Sequence, residues 1–178
     1  GIGGAGIARS ATARGLSVAL VEARDLASGT SSRSSKMIHG GVRYLAQGDL
    51  GLVRDAARER QVLRRIAPHL TRRIGFLLPT RSAGGMARFR AAMWTFEKLG
   101  AVPMAAVDGS NGAVRYIEFV TDDSRLTLAN ARTAADGGAL ILTYAPARGL
   151  VTEAGSVVGV ECESGVEGEG LGASIRGR

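Results

Sequence analysis

GIGGAGIARSATARGLSVALVE, residues 1–22, passes from glycines to an Ala-rich segment, then through Gly15 to an apolar, β-branched run that closes on an acid. The Ala-rich part has good helix propensity, and Gly15 is placed to end it as a C-cap. The run up to Glu22 reads as a buried parallel strand, because it is continuously apolar rather than alternating. Glycine loop, helix, strand and acid together form the latter part of a βαβ nucleotide-binding unit. Free N–H groups and partial positive charge at the helix start stabilise a pyrophosphate, and an acid ~20 residues further on suits a ribose. In the plainer reading Gly3 and Gly4 make a tight turn and Glu22 is a strand end in solvent. The unit's first strand precedes its glycines, so the sequence is expected to lack that strand.

Just downstream, Gly29–Leu45 reads GTSSRSSKMIHGGVRYL. Thr30, Ser31, Ser32, Ser34 and Ser35 stand beside Lys36, His39, Gly40, Gly41, Arg43 and Tyr44. Neither an amphipathic helix nor an alternating strand needs that composition. Hydroxyls, glycine N–H groups and cations are all donors, so the stretch suits a loop folded around an anion, although a Ser-rich linker has a similar makeup.

Further along, Asp49 is placed to cap a helix that Pro68 stops near Ala67. Leu52, Val53, Ala56, Val62, Leu63 and Ile66 have helical spacing. Arg54, Arg58, Arg60, Arg64 and Arg65 read as its solvated face, with Asp55 and Glu59 as partners. Strands are expected at Ile74–Pro79, Val114–Val120, Ala139–Tyr144, Gly149–Thr152 and Val157–Cys162, with Glu153–Ser156 as a turn. Helices are expected at Met86–Leu99 and Ser124–Ala135. The tail from Gly165 has no periodicity and reads as disordered or foreign to the fold.

Composition removes several classes. A 45% hydrophobic fraction in 178 residues supports a packed core. Cys162 is the only cysteine, which leaves no internal disulfide or cysteine-based metal cluster and fits a reducing compartment. No apolar run approaches the ~20 residues of a membrane span, and no signal peptide is read. Two histidines, His39 and His69, support no catalytic triad, and metal-ligand spacing is absent. The net charge of +7 favours an anionic cofactor, substrate or membrane surface. Nucleic acid is disfavoured, because aromatics are only 4% and do not alternate with basic residues.

GIGGAGIA, LSVALVEARDLASGTSSRSSKMIHGGVRYL, RERQVLRRIAPHL, FLLP at Phe76–Pro79 and TDDSRLTLANAR at Thr121–Arg132 resemble the FAD-dependent, quinone-linked glycerol-3-phosphate dehydrogenases. The resemblance is close over Gly1–Pro79 and looser over Ala113–Val160. It implies an N-terminal part of such a protein. The implied fold is α/β: an FAD-binding, Rossmann-like domain of the glutathione-reductase and D-amino-acid-oxidase type. That domain is read as incomplete, lacking its first strand, and joined to the start of a substrate domain. The implied division is 1–72 for the first part of the FAD domain and 73–135 for a substrate or cap segment. Return strands then occupy 136–164 and the tail 165–178.

The implied reaction is oxidation of sn-glycerol 3-phosphate to dihydroxyacetone phosphate, with electrons passing from flavin to a quinone. The whole protein is implied to sit in the cytoplasm, peripheral to the inner face of the cell membrane, while the isolated chain is expected to be inactive. On the family pattern Gly1 and Gly4 match the second and third fingerprint glycines. Gly1, Gly3 and Gly6 read as a complete GxGxxG are the other register. Gly1, Gly4, Gly6, Glu22, Thr30, Ser31, Ser32, Ser35, Lys36, His39, Gly40 and Gly41 are the implied FAD contacts. Arg43, with its planar donor fork, is the candidate for the substrate phosphate with Tyr44 nearby, and His39 and Arg43 are the catalytic candidates. An amino-acid or hydroxy-acid oxidoreductase of the same superfamily is the nearest alternative, and a non-catalytic nucleotide-binding module is the alternative of another class.

Overall fold

The computed structural model describes residues 1–38, 48–79, 82–100, 113–163 and 172–177. The chain divides into two compact units, one of residues 1–34 with 123–178 and one of residues 35–122. The expected divisions at 72 and 135 therefore do not coincide with the boundaries of the compact units. The helix after Asp49 and the strand after it fold together with Ala113–Thr121, because those strands pair.

In the first unit, α1 (Ile2–Thr12) leads to β1 (Ala19–Val21), which pairs in parallel with β5 (Leu140–Leu142) in the register Ala19 to Leu140. β1 is shorter than the apolar run suggested. α4 (Asp123–Asp136) precedes β5 and packs on α1. Ala5 and Ala8 on α1, with Ala131 and Ala134 on α4, are buried, and Val18, Leu20 and Ile141 pack against this alanine core. Both helices stop in the same way. Leu16 N donates to Ala11 O and Gly15 N to Thr12 O, while Ala139 N donates to Ala134 O and Gly138 N to Ala135 O. This double bond pattern puts the residue after the cap in the left-handed region, where Gly15 (φ +79°) and Gly138 (φ +97°) carry no Cβ penalty.

A three-stranded antiparallel sheet completes this unit: β6 (Ala147–Glu153), β7 (Ser156–Glu163) and β8 (Gly172–Arg176), with β7 central. Ala154 (φ 48°) and Gly155 (φ 80°) make the expected turn between β6 and β7 with positive φ at both central positions. Within the tail, Gly172–Arg176 forms a strand that was not expected, while residues 164–171 lie outside the described residues. Gly172–Arg176 pairs with Glu163–Gly159 and so satisfies the outer edge of β7. Gly159 permits that approach, since a Cβ there would stand 3.2 Å from the Arg176 Cα and closer still to the Ile175 carbonyl oxygen. Gly159→Ala should cost about 1 kcal/mol, the low end of overpacking, because β8 is an edge strand that can shift. Urea unfolding measures it, and an unchanged midpoint would show that this pairing tolerates a side chain.

The second unit holds a sheet in the order β2 (Met37–Ile38), β4 (Ala113–Thr121), β3 (Thr71–Pro79), all antiparallel. Its helices are α2 (Leu50–Ile66) and α3 (Ala83–Gly100), which pack on each other. Asp49 caps α2 as expected, its carboxylate accepting from Leu52 N at 3.0 Å. The inward stripe of α2 keeps Val53 from the expected one but otherwise differs from it. Val53, Ala57 and Arg60 are buried, while Leu52, Val62 and Ile66 are exposed. Arg60 is thus not on a solvated face. Its Nη1 donates to Glu118 Oε2 of β4 at 2.8 Å, with side-chain exposures of 2% and 4%. The guanidinium also lies 5.2 Å from the Phe119 ring centroid, which Arg64 and Arg73 approach at 4.8 and 5.9 Å. The aromatic face and one carboxylate compensate the buried charge.

Among the described residues no helix is long and apolar enough to cross a membrane, and no group of His, Cys, Asp and Glu side chains could hold a metal ion.

Candidate nucleotide-binding site

The start of α1, the end of β1 and the hydroxyl-rich turn after it meet around one cavity of the first unit. It measures about 450 Å³ and is lined by Gly1, Ile2, Gly3, Gly4, Glu22, Ala23, Arg24, Ser28, Gly29, Thr30 and Ser31. The local sequence explains each wall. α1 begins directly at the glycines and carries no side-chain cap, so its first N–H groups are left for a neighbour or a ligand. One of them is already used, for Ile2 N donates to Ser31 Oγ at 3.2 Å.

Glu22 is held by its backbone: Glu22 N donates to Leu142 O at 2.8 Å, and Ala145 N donates to Glu22 O at 2.9 Å. Its carboxylate accepts from Arg24 N at 3.3 Å and lies 3.3 Å from the Gly1 nitrogen. A quarter of the side chain remains exposed. α1 sits close on β1, since a Cβ at Gly4 would stand 3.5 Å from Leu20 Cδ1. Thr30–Ser32 forms a single 3-10 turn, with Ser32 Oγ donating to Gly29 O at 3.0 Å.

Of the residues singled out from sequence, Gly1, Gly4, Glu22, Thr30 and Ser31 line this cavity. Gly6 does not. It lies with Arg9 and Arg14 on a separate depression further along α1. Ser32 is exposed and faces its own turn. Ser35 and Lys36 belong to the second unit, where Lys36 Nζ lies 3.5 Å from Asp122 Oδ1 and Lys36 O accepts from Thr121 N. His39, Gly40, Gly41, Arg43 and Tyr44 lie outside the described residues. The cavity adds Gly3, Ala23, Arg24, Ser28 and Gly29. The signal for Arg24 and Ser28 was their place between Glu22 and the hydroxyl turn, where a chain leaving a strand end must pass the helix N-terminus.

Chemically, the arrangement brings backbone donors, a helix dipole, hydroxyls and a carboxylate acceptor to one cavity. A model of the family described as FAD dependent oxidoreductase matches residues 1–174. The chain belongs to that family. The match runs through Ser174, within β8.

Two of the chain's relatives illustrate the similarity in sequence. A glycerol-3-phosphate dehydrogenase of Mycobacterium leprae is 41% identical over 94% of the chain and 32% of its own length. An aerobic glycerol-3-phosphate dehydrogenase of Staphylococcus epidermidis is 36% identical over 95% of the chain and 34% of its own length. Among solved structures, the glycerol-3-phosphate dehydrogenase of Bacillus halodurans complexed with FAD matches with a TM-score of 0.69 at 32% identity, covering 99% of the chain and 31% of that protein. The chain thus spans about a third of the length of the relatives it matches.

Proposed function

We propose that the chain supplies the nucleotide-holding part of an FAD-dependent glycerol-3-phosphate dehydrogenase. The single observation that carries this is the meeting of Gly1, Gly3, Gly4, Glu22, Thr30 and Ser31 at one cavity. The residues fit the cofactor. The start of α1 offers N–H groups and partial positive charge to a pyrophosphate, and the glycines there leave room for it. Glu22 is placed to accept from adenosine ribose hydroxyls, and the Thr30 hydroxyl is a further donor on the same wall. Arg24 adds a cation to the rim.

Bound FAD supplies an acceptor for the hydride that leaves an alcohol carbon. The chain's own part in that reaction is to bind and orient. Of the residues read as nearest the reacting carbon, Arg43 would hold the substrate phosphate beside Tyr44, and His39 would take part at the hydroxyl. Identity of 36–41% with proteins named glycerol-3-phosphate dehydrogenase supports the substrate. Electron transfer from the flavin to a quinone at the inner face of the cell membrane belongs to the same reading. A net charge of +7 supports it, because that charge draws a protein toward anionic lipid.

The test uses the whole protein. Purified with FAD, it should lose its flavin absorption on addition of sn-glycerol 3-phosphate under nitrogen and keep it with D- or L-amino acids. Bleaching by amino acids alone would overturn the substrate.

A further inference from the structure

The segment Thr121–Arg125, TDDSR, is one of the stretches on which the resemblance rests, yet none of it lines the cavity. Its side chains nevertheless reach the cavity's hydroxyl turn. Ser34 Oγ donates to Asp123 Oδ2, across 89 residues of sequence. Ser124 Oγ donates to the Ser31 carbonyl oxygen at 3.2 Å, across 93 residues. Asp123 is itself fastened, because its carbonyl accepts from the hydroxyl of fully buried Thr127 at 2.8 Å. Ser31, Ser34, Asp123, Ser124 and Thr127 all lie in the first unit.

The turn between those anchors has little of its own to hold it. Within Gly29–Arg33 its own bonds are those from Ser32 N and Ser32 Oγ to Gly29 O and from Arg33 N to Thr30 O. A single 3-10 turn with such bonds is a weak element by itself. Ser31 is nonetheless 7% exposed and fixed on two sides: its hydroxyl accepts from Ile2 N, and its carbonyl accepts from Ser124.

We propose that Asp123 and Ser124 are positioning residues for the nucleotide cavity, fixing through Ser34 and Ser31 the direction in which the Thr30–Ser32 turn presents its donors. The inference rests on the reading of this cavity as the FAD site. A donor wall held in place before the ligand arrives loses less freedom on binding, so its anchors act on affinity without touching the ligand. Asp123 carries the larger share, since a hydrogen bond to a carboxylate is stronger than one between neutral groups.

The experiment is FAD titration of the whole protein by quenching of flavin fluorescence, run for the wild type and four variants. Asp123→Ala and Ser34→Ala should each weaken binding about tenfold, the factor that one hydrogen bond to a charged group is worth. The double variant should be no weaker than either single one, and Asp123→Asn, which keeps an acceptor oxygen, should recover most of the affinity. Wild-type affinity in Asp123→Ala, or full additivity in the double variant, overturns the positioning role while leaving the cavity assignment standing. A wild type that takes up no FAD overturns both. If Asp123→Ala does not fold, Ser34→Ala decides alone, and unchanged affinity there overturns the proposal.

Discussion

Glu118→Ala should remove about 3–5 kcal/mol of stability, the range for breaking a buried ion pair by deleting one partner. The guanidinium of Arg60 would be left 2% exposed with its carboxylate gone. Arg64 and Arg73 lie over the same Phe119 ring, so the charge already gathered there is positive. The aromatic face offers a cation about 0.5–2 kcal/mol, too little to replace the carboxylate. Folded domains are stable by only about 5–15 kcal/mol, so the variant should unfold at much lower urea with a similar slope. The double variant Arg60→Met with Glu118→Leu removes both charges and should recover most of the loss. A Glu118→Ala midpoint close to wild type would mean that water or another group reaches Arg60, and that the pair is not the anchor of α2 on β4.

Glu22→Ala should weaken FAD binding by roughly 10- to 150-fold, which corresponds to about 1.5–3 kcal/mol for hydrogen bonds to a charged acceptor. The geometry favours a clean reading. The backbone of Glu22 is fixed by Leu142 and Ala145 whatever side chain it carries, so truncation leaves β1 in place. The carboxylate has two long contacts within the chain, from Arg24 N and the Gly1 nitrogen at 3.3 Å each, which leave it lone pairs for a ribose. Glu22→Gln retains one acceptor without the charge and should fall between the two. Titration by flavin fluorescence in the whole protein distinguishes these variants, and an affinity within twofold of wild type for Glu22→Ala would remove the residue from the site.

Much of this was legible from local chemistry. Gly15 as a helix stop, Asp49 as a cap and the Glu153–Ser156 turn follow from rules that act within a few residues, and each appears where expected. The glycines and Glu22 converge for the same reason: helix and strand lengths alone bring them together. What was not legible depends on distant partners. Val53 was expected to face inward, and Ala57, Arg60 and Arg64 continue from it at helical spacing. Arginine at two of those positions hid the stripe, because the acid that permits it lies 58 residues away in Glu118. β8 was missed on similar grounds, as a glycine-rich segment becomes a strand only when β7 offers it an edge.

The first unit is assembled from the two ends of the chain, with residues 35–122 folding as a body of their own between them. During synthesis, α1 and β1 must wait for α4 and β5 before their alanine core and parallel pairing can form. The strands of the intervening body pair with one another, so its sheet can form while the nucleotide pocket is still open chain. Closing so long a loop slows folding more than it weakens the folded state, since closure cost grows only with the logarithm of length. Lengthening the intervening body would therefore delay maturation of the pocket, while its equilibrium affinity for a nucleotide would scarcely change.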